Sequence, residues 1–138
     1  MRLVSVYSPD FGCRFAPGIL YELLAARDAT ESISHKKLPT MGEHVKFVLS
    51  YPYTAWYLIM DSICRGSIYL TKRDEIGVHV FGWYPGAGDA VKELMRLHPR
   101  ERYLANINPL DTGKAEMLVK MGFRHIQNTY EGNHVHQG

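Results

Sequence analysis

Val78-His79-Val80-Phe81-Gly82-Trp83-Tyr84-Pro85-Gly86-Ala87-Gly88-Asp89-Ala90 reads as a strand that runs into a Gly-x-Gly turn and opens a helix. Ile76, Val78 and Val80 alternate with Gly77, His79 and Phe81, the period-2 pattern of a strand. Beyond Gly88 the period becomes helical, with Val91, Leu94, Met95 and His98 on one face and Pro99 closing the segment. Such a junction is a ready-made anion site. The first helical turn has unpaired amide donors and the positive end of the macrodipole, and glycines let a phosphate approach the backbone. Gly-x-Gly also marks plain tight turns, so the motif alone leaves both readings open. The chain lacks the Gly-Lys-Ser/Thr ending of a P-loop, and Val91 stands where a Rossmann fingerprint has its third glycine.

Upstream, residues 55–60 and 67–71 read as two further strands. Turns at Cys64-Arg65-Gly66 and Lys72-Arg73-Asp74 are short enough for an antiparallel meander. Leu3-Val4-Ser5-Val6-Tyr7 has the β-branched and aromatic content of a first strand, ended by Ser8-Pro9-Asp10 and Gly12. Ile19, Leu20, Leu23 and Leu24 recur at helical spacing up to about Arg27. Thr40-Met41-Gly42-Glu43 has the form of a capping box opening a second helix, with Val45, Val48 and Leu49 as its buried stripe. Pro52 stops that helix near Tyr51. Downstream, 102–107 reads as a strand, 111–121 as a helix ended by Gly122, and 123–130 as a last strand. The expected order is β-α-α-β-β-β-α-β-α-β, an α+β fold around one mostly antiparallel central sheet flanked by about four helices.

With 138 residues, 46% hydrophobic and 22% charged, the chain fits one domain over 1–138, with 132–138 as a frayed tail. Sixteen Lys and Arg against 14 Asp and Glu leave a net charge of +2, spread along the chain. That argues against a dedicated nucleic-acid or polybasic membrane protein. Cys13 and Cys64 form no CxxC pair, no secretory signal precedes them, and the longest apolar run is too short to span a bilayer. The expectation is a cytoplasmic location.

A second segment bears on function. Asn106-Ile107-Asn108-Pro109 ends the expected strand, and Lys120-Met121-Gly122-Phe123 ends the following helix, about forty residues after the glycine loop. Together the two segments resemble the GNAT superfamily of acyl-CoA-dependent N-acetyltransferases, which carry Q/R-x-x-G-x-G/A after the central strand and an Asn-containing strand end followed by K-x-G-F. The resemblance covers roughly residues 40–130. It implies a sheet with a splayed central strand pair, acetyl-CoA as co-substrate and a primary amine as acceptor: an aminosugar, polyamine, amino acid or protein N-terminus. The pantetheine arm would pair near His79, Val80 and Phe81, beside Trp83. The amides of Gly86, Ala87, Gly88 and Asp89 would hold the pyrophosphate, with Asn108 near the arm and Lys114 reaching the nucleotide phosphates. Glu75 lies close to where several members carry the general base, and His79 is its alternate. A homodimer through a sheet edge or the C-terminal segment is compatible with the pattern.

Two departures from the family stand out. Trp83 occupies the usual Gln/Arg position, so phosphate binding would rest on amides; Leu118 stands where many members have the Tyr that protonates the departing thiolate, leaving Tyr57 or Tyr130 as substitutes. These departures support a rival reading, a non-catalytic acyl-CoA-binding or interaction module. A nucleotide- or phosphate-binding protein using the same loop is a third. Each residue also has a plainer role: Glu75 at a hairpin turn, His79 packed in a strand, Asn108 starting a turn before Pro109, Lys114 solvated. His134 and His136 in a terminal tail lack the ligand framework of a native metal site, and none is expected.

Overall fold

The computed structural model describes residues 1–9, 12–27 and 38–134, apart from the side chains of 12–14. Asp10 of the expected first turn and His136 of the tail lie outside the described residues. Four strands, β1 Arg2–Ser5, β2 Ala55–Asp61, β3 Ile63–Leu70 and β4 Ile76–Val80, pair in chain order, each antiparallel to its neighbour. The helices are α1 Gly12–Ala26, α2 Met41–Leu49, α3 Ala87–Leu97 and α4 Thr112–Lys120.

Alternation along β2 sorts the sheet into two apolar faces. Ile59 joins Ile68, Leu70, Ile76 and Val78 against Ala90, Val91 and Leu94 of α3. Trp56 and Leu58 face the other way, onto Ala16 and Leu20 of α1 and Val48 of α2. Helices therefore cover both faces, which an antiparallel sheet does not require but which this two-sided apolar pattern demands. The capping box of α2 forms, with Thr40 Oγ1 accepting from Glu43 N at 3.2 Å and Glu43 Oε1 accepting from Thr40 N at 3.1 Å. The carboxylate is held below its ordinary pKa by those Thr40 hydrogen bonds. Its stripe is rotated from the expected one: His44 and Val48 are buried while Leu49 is 57% exposed. At the other end Ser50 caps the helix and Tyr51 turns into the left-handed region at φ 53°, ahead of Pro52.

Three expectations need correction. Cys64-Arg65-Gly66 is not a turn: it lies inside β3, and the chain reverses one step earlier, at Ser62, whose φ is 65°. Residues 102–107 form no strand but touch β4 through a single parallel bridge, Glu75 to Leu104. Residues 123–130 carry no strand either, and the four strands of the sheet all lie before them in the chain. Lys72-Arg73-Asp74 does form the β3–β4 turn, closed by Asp74 N donating to Thr71 O at 3.1 Å.

Two anchors set where 102–107 lies. Tyr103 Oη donates to His98 O at 2.6 Å, at the end of α3. Arg100 Nε reaches Asp74 Oδ1 at 2.8 Å in the β3–β4 turn. From there the chain enters α4, capped by Asp111, whose Oδ1 accepts from Lys114 N at 3.1 Å, and released by Gly122 at φ 97°.

Candidate functional site

The Glu75–Leu104 bridge consists of Ile76 N donating to Leu104 O at 2.7 Å and Leu104 N donating to Asp74 O at 3.0 Å. Pairing then stops, and 105–107 runs on without further ladder bonds to β4. A narrow slot of about 20 Å³ separates the two stretches, walled by Gly77 and His79 of β4, Tyr69 of β3, Asn106, and Lys114 and Leu118 of α4. That is room for little more than one water. The strand's hydrogen-bonding parity fixes which backbone groups of β4 face away from β3. Ile76 N points outward to Leu104 and Phe81 N points inward to Arg65 O at 2.8 Å, so the groups of Val78 and Val80 face outward. The backbone groups of His79 and Phe81 face β3 instead.

Glu75 is half-buried at the foot of β4. Thr71 Oγ1 accepts from its amide at 3.0 Å, and its Oε2 accepts from Asn106 Nδ2, which lines the slot. That hydrogen bond ties the carboxylate to a residue of the slot wall.

His79 is only 8% exposed, and its Nδ1 is buried with no hydrogen-bond partner. Burial, together with the charges of Arg27 and Lys114, depresses its pKa to about 3. The ring is therefore neutral at physiological pH and a poor proton acceptor, but a competent hydrogen-bonding group. Tyr69 tilts against it at 6.0 Å between ring centroids and stacks on Tyr53 at 4.0 Å. Burial raises the pKa of both phenols, so both stay protonated.

The glycine loop lies above the other end of β4. Gly82 takes φ 57°, and Gly86 caps α3 without a side-chain hydrogen bond, leaving the first-turn amides of α3 to whatever else approaches. Asp89 in that turn sets a negative charge beside them. Trp83 is 87% exposed and walls nothing. Tyr84 instead carries the loop's shape: its ring fills the space of a Gly86 side chain, and its Oη donates to Asp61 Oδ2 at 2.9 Å. The Arg65 guanidinium sits 5.6 Å from the centre of that ring and is the basic group nearest the loop that the contacts identify.

Of the remaining residues, Lys114 is in the slot wall, 3.4 Å from Asp111 Oδ2. Asn108 is not in that wall; its Oδ1 accepts from Leu110 N at 2.9 Å, a local turn ahead of α4. Tyr57 is engaged on the α3 face, its Oη 2.7 Å from His98 Nε2, and Tyr130 is 88% exposed. The sequence reading missed Asn106 and Tyr69. Asn106 was visible as the first member of Asn-x-Asn, but only the register at Leu104 aims it at Glu75. Tyr69 was visible as a strand aromatic, but only its antiparallel pairing with Gly77 brings it to the slot.

Cys64 is half-buried, its thiol pKa raised by burial, which does not favour nucleophilic use. Among the described residues no group of three or more His, Cys, Asp or Glu is placed to hold a metal, and no helix is long and apolar enough to cross a membrane. Comparison with protein-family models, with curated proteins and with solved structures finds no match to this chain.

Proposed function

We propose that the chain is an acetyl-CoA-dependent N-acetyltransferase of the GNAT type. The observation that carries this reading is the parting of 105–107 from β4 after one bridge. It leaves an outward-facing strand edge at Val78 and Val80, beside a slot and leading to an uncapped helix N-terminus. An acyl-CoA has the matching parts, an extended amide-bearing arm and a pyrophosphate. The slot is too narrow for the arm as it stands, so binding widens it, by movement of 105–107 and α4 away from β4.

In this reading the amine nitrogen attacks the thioester carbonyl, the carbon–sulfur bond breaks, and CoA leaves as the thiolate. Glu75, oriented by Asn106, takes the proton from the acceptor ammonium directly or through water. His79 is neutral, its Nδ1 left open to a hydrogen bond with a ligand, and does not act as the base. With Leu118 in the slot wall, the phenol assigned to the leaving thiolate is Tyr69, which lines the same slot. The amides of Gly86, Ala87, Gly88 and Asp89, with Arg65 nearby, receive the pyrophosphate.

Calorimetric titration with acetyl-CoA, paired with a thiol-release assay over an amine panel, tests this. Saturable binding with CoA release is expected, and Glu75→Gln is expected to slow release by about 10²-fold or more. A folded protein that takes up no acetyl-CoA at millimolar ligand sinks the reading. Leu118 in place of a hydroxyl-bearing side chain favours one rival, a non-catalytic acyl-CoA-binding module. Tight CoA binding without turnover, unaffected by Glu75→Gln, would establish that rival instead.

A further inference from the structure

Lys72-Arg73-Asp74 and Arg100-Glu101-Arg102 are distant in the chain, and the fold fastens them side by side. Leu104 N donates to Asp74 O at 3.0 Å, and Arg100 Nε donates to Asp74 Oδ1 at 2.8 Å. Both turns are also held from within. Thr71 Oγ1 accepts from the amides of Arg73 and Glu75 at 3.2 and 3.0 Å, with Asp74 at φ 60°. Tyr103 Oη accepts from Arg100 N at 2.9 Å and donates to His98 O at 2.6 Å. Together the two turns carry four cations and two carboxylates, an excess equal to the net charge of +2 of the whole chain. The remainder of the chain is balanced. Arg100 occupies Asp74, whereas Lys72, Arg73 and Arg102 are exposed and make no ion pair among the described residues. Arg73 is one residue from Asp74 and Arg102 two from Leu104, so their Cα atoms lie no more than about 18 Å apart.

We propose that this surface docks an acidic peptide segment of a partner protein, its carboxylates meeting Lys72, Arg73 and Arg102. An extended stretch of about six residues covers the distance. The turns are fixed before the segment arrives, so its docking orders little backbone on this side. Nucleic acid fits less well. Its phosphates follow one another every few ångströms and its binders commonly neutralise about six or more of them. Here Glu101 interrupts the cations, and Tyr103, the aromatic side chain beside them, is half-buried with its hydroxyl engaged. The proposal stands apart from the transferase reading, since it uses neither the slot nor the glycine loop.

Fluorescence anisotropy of the intact chain with a labelled peptide of alternating Asp and Gly tests this, against the same peptide with Asn in place of Asp and a labelled single-stranded oligonucleotide. Sedimentation with phosphatidylserine vesicles is run alongside. The acidic peptide is expected to bind about tenfold tighter than its Asn counterpart, as two or three exposed ion pairs together supply, and the preference should fade as salt is raised. Arg73→Glu combined with Arg102→Glu is expected to remove the preference while Tm stays within a few degrees, because neither side chain has an ion pair to lose. Lys120→Glu combined with Arg124→Glu makes the same change in net charge elsewhere and is expected to leave the preference intact. Acidic and Asn peptides agreeing within about twofold, tighter binding of the oligonucleotide or the vesicles, a preference that survives the first pair of substitutions, or an equal loss with the second pair would each overturn it.

Discussion

A methyl group at Gly77 would strike the ring that walls the slot. The Cβ of Gly77→Ala falls 2.1 Å from Tyr69 Cζ, 2.4 Å from Oη and 2.5 Å from Cε1, where ordinary contact begins near 3.4 Å. The ring must retreat by more than about an ångström, and Tyr53 blocks one direction, stacked 4.0 Å away with the planes 4° apart. Overpacking of this kind costs about 1–3 kcal/mol, and loss of the stack adds about 0.5–1.5 kcal/mol. The expected destabilisation is therefore about 2–4 kcal/mol, a fall in Tm of about 6–15 °C for a chain of this size. Urea unfolding followed by fluorescence measures it, and a double-mutant cycle with Tyr69→Ala isolates the cause. With the ring removed, Gly77→Ala should cost less than about 0.5 kcal/mol. An equal cost in both backgrounds, or almost none in the native one, would refute the contact as the reason for glycine at this position.

Other consequences are as direct. Between the ordinary imidazole pKa of 6.5 and the folded-state value of about 3, the unfolded chain takes up a proton that His79 refuses, so stability falls as pH drops through that window. His79→Gln should flatten the acid-side loss between pH 6.5 and 5 by about 1–2 kcal/mol, leaving the smaller contributions of His44 and His98; an unchanged slope counts against burial as the cause. Leu94→Ala, at a side chain with no exposure at the centre of the α3 face, should cost about 2–5 kcal/mol in the same assay. Thr40→Ala removes a two-way cap and should cost about 1 kcal/mol, with Glu43→Ala nearly silent in that background if the two act as one unit. Tyr84→Phe should weaken acetyl-CoA binding several-fold while leaving Tm within a few degrees, because it frees the glycine loop from Asp61 without emptying the ring's place over Gly86.

Where the sequence carried its own partner, it could be read. The box at Thr40 and Glu43, the Gly122 stop and the β3–β4 turn are all decided within a few residues, and each stands where the pattern put it. Reading failed where a distant neighbour decides. Residues 102–107 have strand composition, yet after Leu104 the chain follows α4 rather than β4. Residues 123–130 have Phe, Ile and Tyr at strand-like spacing, but β propensity records fit to a sheet that must already be there. The register error at 64–66 has a different origin: Gly66 looked like a turn residue, but it is a strand position where the β4 backbone crowds a Cβ, within 2.7 Å of Val80 Cα. In the candidate site, Glu75, His79 and Lys114 were named from the resemblance. Asn106 and Tyr69 meet them only through tertiary pairing, which no spacing rule encodes.

The order of the sheet also bears on how the chain assembles. β2, β3 and β4 form a meander in which each strand meets the next across a short turn, whereas β1 finds its partner only after α1 and α2 have intervened. Loop closure is slow to compensate for distant pairings, so the meander with α3 should form first and Leu3–Ser5 should dock late. Pulse-labelling hydrogen exchange during refolding would show β2–β4 amides protected ahead of β1, and the reverse order would refute it. During synthesis the N-terminal strand and two helices therefore leave the ribosome before the surface they bury against exists. Trp56 and Leu58, which later cover Ala16, Leu20 and Val48, are the residues whose emergence ends that exposure.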